Sequence, residues 1–171
     1  MVRYAKTIFL VALVSFFVVG ILDGGTHAER LGTGENVAGL AADTDLAAFN
    51  TRFRDLILRM DNAGVIAQWA DDGASLLPDT APIVGKKNIA EFLQKVFAGL
   101  QGYHVTAEEI EWRDVRVAGD WASEWGIVHQ AVQPPGDKPA IDIYGRIALV
   151  LHRDSEGWKI EQQMWQSGPK P

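Results

Sequence analysis

The sequence contains no cysteine and has few basic residues. The lack of cysteine excludes a disulfide scaffold and a thiolate metal site. The formal net charge of −6 argues against a nucleic-acid binder, because such proteins are normally basic. With 47% apolar and 22% charged residues over 171 positions, the composition excludes a disordered chain and favours a single globular domain.

An apolar run near the N-terminus has the pattern of an export signal. The basic residues Arg3 and Lys6 precede the uncharged run 8–22, and a small-x-small cleavage motif stands before Glu29. The run is shorter than the roughly 20 residues that a transmembrane helix needs. We therefore expect a signal-peptide helix over residues 1–28 and an exported chain, periplasmic or secreted, with membrane contact only if this segment stays uncleaved.

The rest of the chain divides into a flexible leader and one folded domain. Residues 29–42 are rich in glycine and polar groups, which is typical of a mobile leader. Residues 43–168 begin with apolar residues at helical spacing, and Asp61 is a candidate N-cap for the second helix. The predicted elements of this first half are helices over 44–60, 62–69 and 86–100, a turn at 71–73 and a short strand at 74–77.

From residue 103 onward the apolar residues alternate with polar ones, which predicts strands. The candidate strands are 103–117, 121–133, 140–153 and 158–167. Short connections between them imply antiparallel neighbours, and strands of this length must twist and curl. The pattern predicts an α+β fold in which three N-terminal helices pack in a curled antiparallel sheet.

Three segments carry a resemblance to a known superfamily. They are DNAGVIAQWADDGASLLP at 61–78, PIVGKKNIAEFL at 82–93 and GWKIEQQMWQS at 157–167. Their order and spacing resemble the SnoaL-like, ketosteroid-isomerase-like superfamily, also called nuclear-transport-factor-2-like, over residues 43–168. The resemblance implies a cystatin-like cone with a deep pocket at its open end, and a homodimer formed through the sheet.

The resemblance also allows the catalytic positions of the steroid isomerases to be checked. The general base, the residue before the proline, is here Leu77, and the oxyanion-stabilising tyrosine falls near Phe53. A supporting tyrosine corresponds to Trp69. Another position on the third helix is Leu93, and the second oxyanion donor falls near Leu149. Because proton transfer needs an acid and a base in reach of the substrate, these apolar residues argue against ketosteroid isomerase activity.

The same comparison predicts a mostly apolar pocket. It turns Trp125, Ile127 and His129 of the second long strand inward, together with Gln163 and Trp165 of the last strand. The predicted ligand-binding residues are Phe53, Trp69, Leu77, Leu93, Trp125, Ile127, Leu149, Gln163 and Trp165. An apolar cavity with a few directed polar groups is the usual small-molecule site. The expected partner is therefore a small apolar or aromatic molecule, bound without a cofactor, a metal or a nucleic acid.

His129 is the candidate catalytic residue, because an imidazole can act as a general base near neutral pH. The alternative is a partly buried histidine bonded to a carbonyl or to Gln163. Trp125 and Trp165 could stack on a flat ligand or belong to the core. The function therefore stays open between a binding protein, a cofactor-independent isomerase, hydratase, cyclase or hydrolase using His129, and a non-catalytic dimerisation module.

Several acidic residues have structural interpretations. The pair Asp71 and Asp72 is interpreted as turn chemistry, and the run of Glu108, Glu109 and Glu111 as a solvated edge. The row of Asp142, Tyr144 and Arg146 is expected on the outer, dimer-facing surface. A one-residue error in the inward face would instead place this row in the pocket.

Overall fold

A computed structural model describes residues 44–171, so the predicted signal peptide and leader lie outside the described residues. The chain order in this part is α1 (Thr44–Leu58), α2 (Asn62–Ala67), β1 (Trp69–Leu76), β2 (Ile83–Val84), α3 (Lys86–Gly99), β3 (His104–Ala118), β4 (Trp121–Gln133), β5 (Ile141–Asp154) and β6 (Gly157–Ser167). No helix within residues 44–171 is long and apolar enough to cross a membrane.

The helices form where apolar residues recur on one face. Helix α1 buries Leu46, Phe49, Phe53 and Leu56 at spacings of three and four, which is one helical stripe. Asp61 caps α2, because its Oδ1 accepts the backbone N–H of Gly64 at 2.9 Å. The helical stripes therefore face the sheet and not the solvent.

The six strands form one sheet in the order β2-β1-β6-β5-β4-β3. Strands β3 to β6 are an antiparallel meander, but β1 runs parallel to β6, so the expectation of a purely antiparallel sheet is wrong for this pair. Register shifts leave an extra residue in β3 after Val105 and after Trp112, and in β6 after Ile160. Because bulges bend strands and increase their twist, they curl the sheet around the helices, and the α+β architecture with a curled sheet is confirmed.

The segment after α2 differs from the prediction. Helix α2 ends at Ala67, and Asp71 and Asp72 lie inside β1 at a shift of its register against β6, so they form no turn. Gly73 explains the irregularity, because a Cβ at this position would lie 2.9 Å from the backbone oxygen of Ile160. The close approach of two backbones replaces the predicted turn.

Candidate functional site

An apolar cavity lies between the helices and the concave face of the sheet. Its volume is about 80 Å³, measured as the space open to the centre of a water molecule. This space holds roughly five to eight water-sized groups. The half-buried residues of its lining include Phe97 at the end of α3, Tyr103 just before β3 and Val105 in β3.

Six of the residues predicted to bind a ligand line this cavity. They are Phe53, Trp69, Leu77, Leu93, Gln163 and Trp165. Leu149 faces the same side of the sheet, but it is buried in the core and does not line the cavity. The cavity therefore unites residues from α1, α3, β1 and β6. Their role in ligand binding stays a prediction.

The inward face predicted for β4 is wrong by one residue. Trp125, Ile127 and His129 lie on the outer face, and Glu124, Val128 and Gln130 point inward. Strand pairing gives the reason, because Trp125 stands opposite Ala148 whereas Glu124 stands opposite Leu149. Since cross-strand partners share a face, Leu149 and Trp125 cannot both point inward.

His129 consequently contacts other surface residues and lies away from the cavity. Its Nε2 lies 2.8 Å from Asp142 Oδ1, its Nδ1 lies 3.4 Å from Glu109 Oε2, and its ring stacks on Tyr144. The hydrogen bond with Asp142 is the main reason that the pKa of His129 is raised. The alternative in which His129 bonds to Gln163 is wrong, because Gln163 lines the cavity on the opposite face of the sheet.

The row of Asp142, Tyr144 and Arg146 lies on this outer face, as expected. The alternative, which placed the row in the pocket, is wrong. Exposed apolar side chains, Trp125 on β4 and Met164 on β6, lie on the same surface. This surface is the one through which the predicted homodimer would form. Dimerisation stays a prediction, which sedimentation at micromolar concentration can test.

Glu108 is an acidic residue of the cavity lining that the sequence did not predict. Its side chain is only 5% exposed and lines the cavity, whereas Glu109 and Glu111 point outward from the same strand. The β3 bulge after Val105 allows this, because Val105 and Glu108 both face inward although three positions separate them. The solvated-edge interpretation therefore holds for Glu109 and Glu111 and is wrong for Glu108.

The Glu108 carboxyl is held by one oxygen and has no partner at the other. The amide Nε2 of Gln130, itself 1% exposed, donates to Glu108 Oε2 at 2.7 Å. Glu108 Oε1 has no hydrogen-bond partner among the described residues. Burial raises the pKa of Glu108 to about 7, against the smaller effects of the Gln130 hydrogen bond and of the His129 charge.

A second orphaned polar atom belongs to the same cavity. The indole of Trp165 lines the cavity, and its buried Nε1 has no acceptor among residues 44–171. A buried polar group without a partner is costly and needs an explanation. Two residues of the lining, Glu108 and Trp165, thus each carry a buried polar atom without a hydrogen-bond partner among residues 44–171.

Another buried acid, Glu124, lies under α1 and outside this cavity. Asn50 Nδ2 donates to Glu124 Oε2 at 2.9 Å, and Glu124 Oε1 and Asn50 Oδ1 have no partner in the described part of the chain. Burial raises the pKa of Glu124 to about 7. Because Glu124 is 3% exposed and packed in the core, its titration affects stability more than ligand access.

Comparison with known proteins agrees with this architecture. A profile described as SnoaL-like domain matches residues 46–165. No curated protein matches the chain. A ketosteroid isomerase-like protein from Erwinia carotovora atroseptica has 19% identity and a TM-score of 0.61, over 74% of this chain and 96% of that one.

Other solved structures share the fold. An NTF2-like protein from Pseudomonas putida has 20% identity and a TM-score of 0.59, over 76% of this chain and 89% of that one. A domain with a cystatin-like fold from Nostoc punctiforme has 24% identity and a TM-score of 0.56, over 77% and 81% of the two chains. At these identities the likeness concerns the fold alone. The predicted superfamily is confirmed by the SnoaL-like profile over residues 46–165.

Proposed function

This chain belongs to the SnoaL-like domain family, and we propose that its mature form is an exported protein that binds a small, mostly apolar molecule in the cavity. The observation that carries the proposal is an apolar cavity lined by Glu108, whose buried carboxyl oxygen Oε1 has no partner within residues 44–171. A bound molecule that donates a hydrogen bond would satisfy this atom. Sites of this kind, apolar with few polar groups, typically bind small molecules.

Two observations favour binding over the enzymatic alternative that uses His129. The imidazole lies on the outer face, bonded to Asp142, where a molecule in the cavity does not reach it. Phe53 and Leu77, at the positions that the family resemblance assigns to an oxyanion donor and a general base, line the cavity with apolar atoms only. A ketosteroid isomerase mechanism at these positions therefore has no acid and no base.

The cavity can be tested with a small neutral probe, 4-fluorobenzyl alcohol, observed by fluorine NMR. In the variant Val105→Trp, an indole at an inward-facing position of the lining fills space that the probe needs. We expect its affinity to fall at least about tenfold, a loss of about 1.4 kcal/mol. The measurement is the dissociation constant for the wild type and for the variant.

The matched control is Thr106→Trp, because Thr106 is the neighbouring residue and is solvent-exposed. This variant should bind the alcohol like the wild type. Equal affinities in the wild type and in both variants would place the probe elsewhere on the protein. No binding by the wild type would contradict the proposal.

Export is the part of the proposal that rests on the N-terminal pattern alone. Expressed with its own N-terminus in a secreting bacterial host, the protein is expected outside the cytoplasm with Glu29 as its first residue. Intact mass and N-terminal sequencing of the purified protein measure this directly. A chain that keeps residues 1–28 in the membrane fraction would indicate an uncleaved anchor instead.

A further inference from the structure

The cavity lining carries negative charge and no positive charge among the described residues. Among the lining residues in the described part of the chain, Glu108 is the only acidic or basic one. The lining includes no Lys, Arg or His, and the contributions of α1, α2 and α3 are all uncharged. An anionic molecule would therefore meet the Glu108 carboxylate without any countercharge, so the cavity disfavours acids.

Aromatic rings form much of the wall around this acid. Six aromatic residues line the cavity: Phe53, Trp69, Phe92, Phe97, Tyr103 and Trp165. The faces of aromatic rings attract cations, and the effect is larger where water is excluded. A carboxylate among aromatic faces is the combination that suits an ammonium group with an apolar body.

The Glu108 carboxyl is positioned to accept from such a group. Gln130 donates to Oε2 from the neighbouring strand at 2.7 Å, which fixes the orientation of the carboxyl, and no described residue is a partner of Oε1. A hydrogen bond between an ammonium and a carboxylate is stronger than one between neutral groups. The same contact would remove the cost of the unpaired buried oxygen.

We propose that the ligand of this cavity is a small amine, whose ammonium group pairs with the Glu108 carboxylate while its apolar body lies against the aromatic walls. This inference rests on the proposed binding function and adds the chemical class of the ligand. The cavity volume of about 80 Å³ suits a molecule with a single small ring or a short alkyl chain.

The proposal requires affinity to rise with pH in the neutral range. Glu108 must be ionised to pair with the amine, and burial places its pKa at about 7. Of the titratable groups in the described part of the chain, His129 acts on Glu108 through its charge from the outer face of β4, and Tyr103 lines the same cavity.

The test compares three probes of nearly equal shape by fluorine NMR: 4-fluorobenzylamine, 4-fluorobenzyl alcohol and 4-fluorobenzoate. At about pH 8 the amine is expected to bind at least about tenfold more tightly than the alcohol, and the benzoate more weakly than either. Between about pH 8 and pH 6 the affinity for the amine should fall about tenfold, because the ionised fraction of Glu108 falls by this factor. The alcohol should show no such fall.

Two variants complete the experiment. Glu108→Gln should reduce the amine-to-alcohol affinity ratio to about one, and Glu91→Gln, an exposed carboxyl on α3, should leave the ratio as in the wild type. If the alcohol binds but the amine has no advantage, or keeps its advantage in Glu108→Gln, the amine inference is wrong and cavity binding stands. If neither probe binds the wild type, the proposed function itself fails.

Discussion

Replacing Glu124 with Gln is expected to remove about 2–3 kcal/mol of pH dependence from the free energy of unfolding between pH 5 and pH 8. In the folded protein burial raises the pKa of Glu124 from 4.5 to about 7. The folded state therefore holds its proton more tightly than the unfolded chain does. The contribution of Glu124 to stability is highest below the pKa that it has in the unfolded chain. It falls as the pH rises from about 4.5 to 7 and is constant above that range.

Glutamine reproduces the shape of the protonated acid but does not ionise, so the variant avoids this loss. The Asn50 side chain donates to Glu124 through Nδ2, and its Oδ1 has no partner among the described residues. The new amide of the Glu124→Gln variant can donate to this Oδ1. The stability difference between variant and wild type should thus grow in favour of the variant as the pH rises.

Urea unfolding at several pH values measures the effect, with Glu91→Gln as the control for loss of an exposed charge. Glu108→Gln should show the same trend, since burial raises the pKa of Glu108 to about 7 as well. The pKa of His129 is also raised, so the protein loses stability as this histidine loses its proton with rising pH. Some pH dependence must therefore remain in both variants. Parallel pH profiles for the wild type and Glu124→Gln would show that Glu124 ionises normally.

Gly145→Ala is expected to destabilise the protein by about 2–3 kcal/mol, although alanine is normally preferred over glycine in a strand. A Cβ at residue 145 would lie 2.5 Å from Cζ2 of Trp165 and 2.8 Å from the backbone oxygen of Gln166. The indole of Trp165 lies against the bare backbone of β5 and also lines the cavity. The added methyl must therefore displace either a buried ring or a neighbouring strand.

Thermal or urea unfolding measures this cost, and a double-mutant cycle identifies its origin. In the background Trp165→Phe the shorter ring makes room, so the added cost of Gly145→Ala should fall by about 1 kcal/mol. Gly136→Ala is the control, since that glycine has a φ of 76° but nothing within 4 Å of an added Cβ. It should cost about 1–2 kcal/mol through backbone strain alone. A neutral or stabilising Gly145→Ala would contradict the close packing of Trp165.

The sequence predicts the architecture well because its signals are local. The apolar stripe of α1, the cap at Asp61 and the alternation after residue 103 each arise from neighbouring residues, and these features lead to the α+β sheet that is observed. The parallel contact between β1 and β6 joins distant segments and carries no local signal. It is accordingly one of the features of the sheet that the pattern misses.

The inward face of β4 could not be read from hydrophobicity, because its outer face carries the larger apolar residues. Trp125 and Ile127 lie outside, whereas the inner face has Gly126, where a Cβ would lie 2.7 Å from the backbone oxygen of Glu111. Polar residues on the inner face pair with each other, as Gln130 does with Glu108. Only the register against β5 decides between the two faces.

Glu108, in contrast, had a usable signal. Ile110 and Trp112 alternate with the exposed Glu109 and Glu111, and the same period extended back by two residues brings Glu108 to the apolar face. The acidic run conceals this alternation, because three carboxylates in four positions resemble a solvated edge. When the alternation is counted from Ile110 and Trp112 and not from the charged residues, it places Glu108 on the inner face of the sheet.

The extra residue after Val105 has a consequence for how this cavity can diversify. In a regular strand, residues an odd number of positions apart face opposite sides, so Val105 and Glu108 could not both point into the hollow. If the pairing before this bulge shifted by one residue, Thr106 would replace Val105 at the inward-facing position, while Glu108 would stay in place. Relatives could thus change the polarity of this inward-facing position while they keep the acid. The choice of bound molecule would then vary independently of the charge that pairs with it.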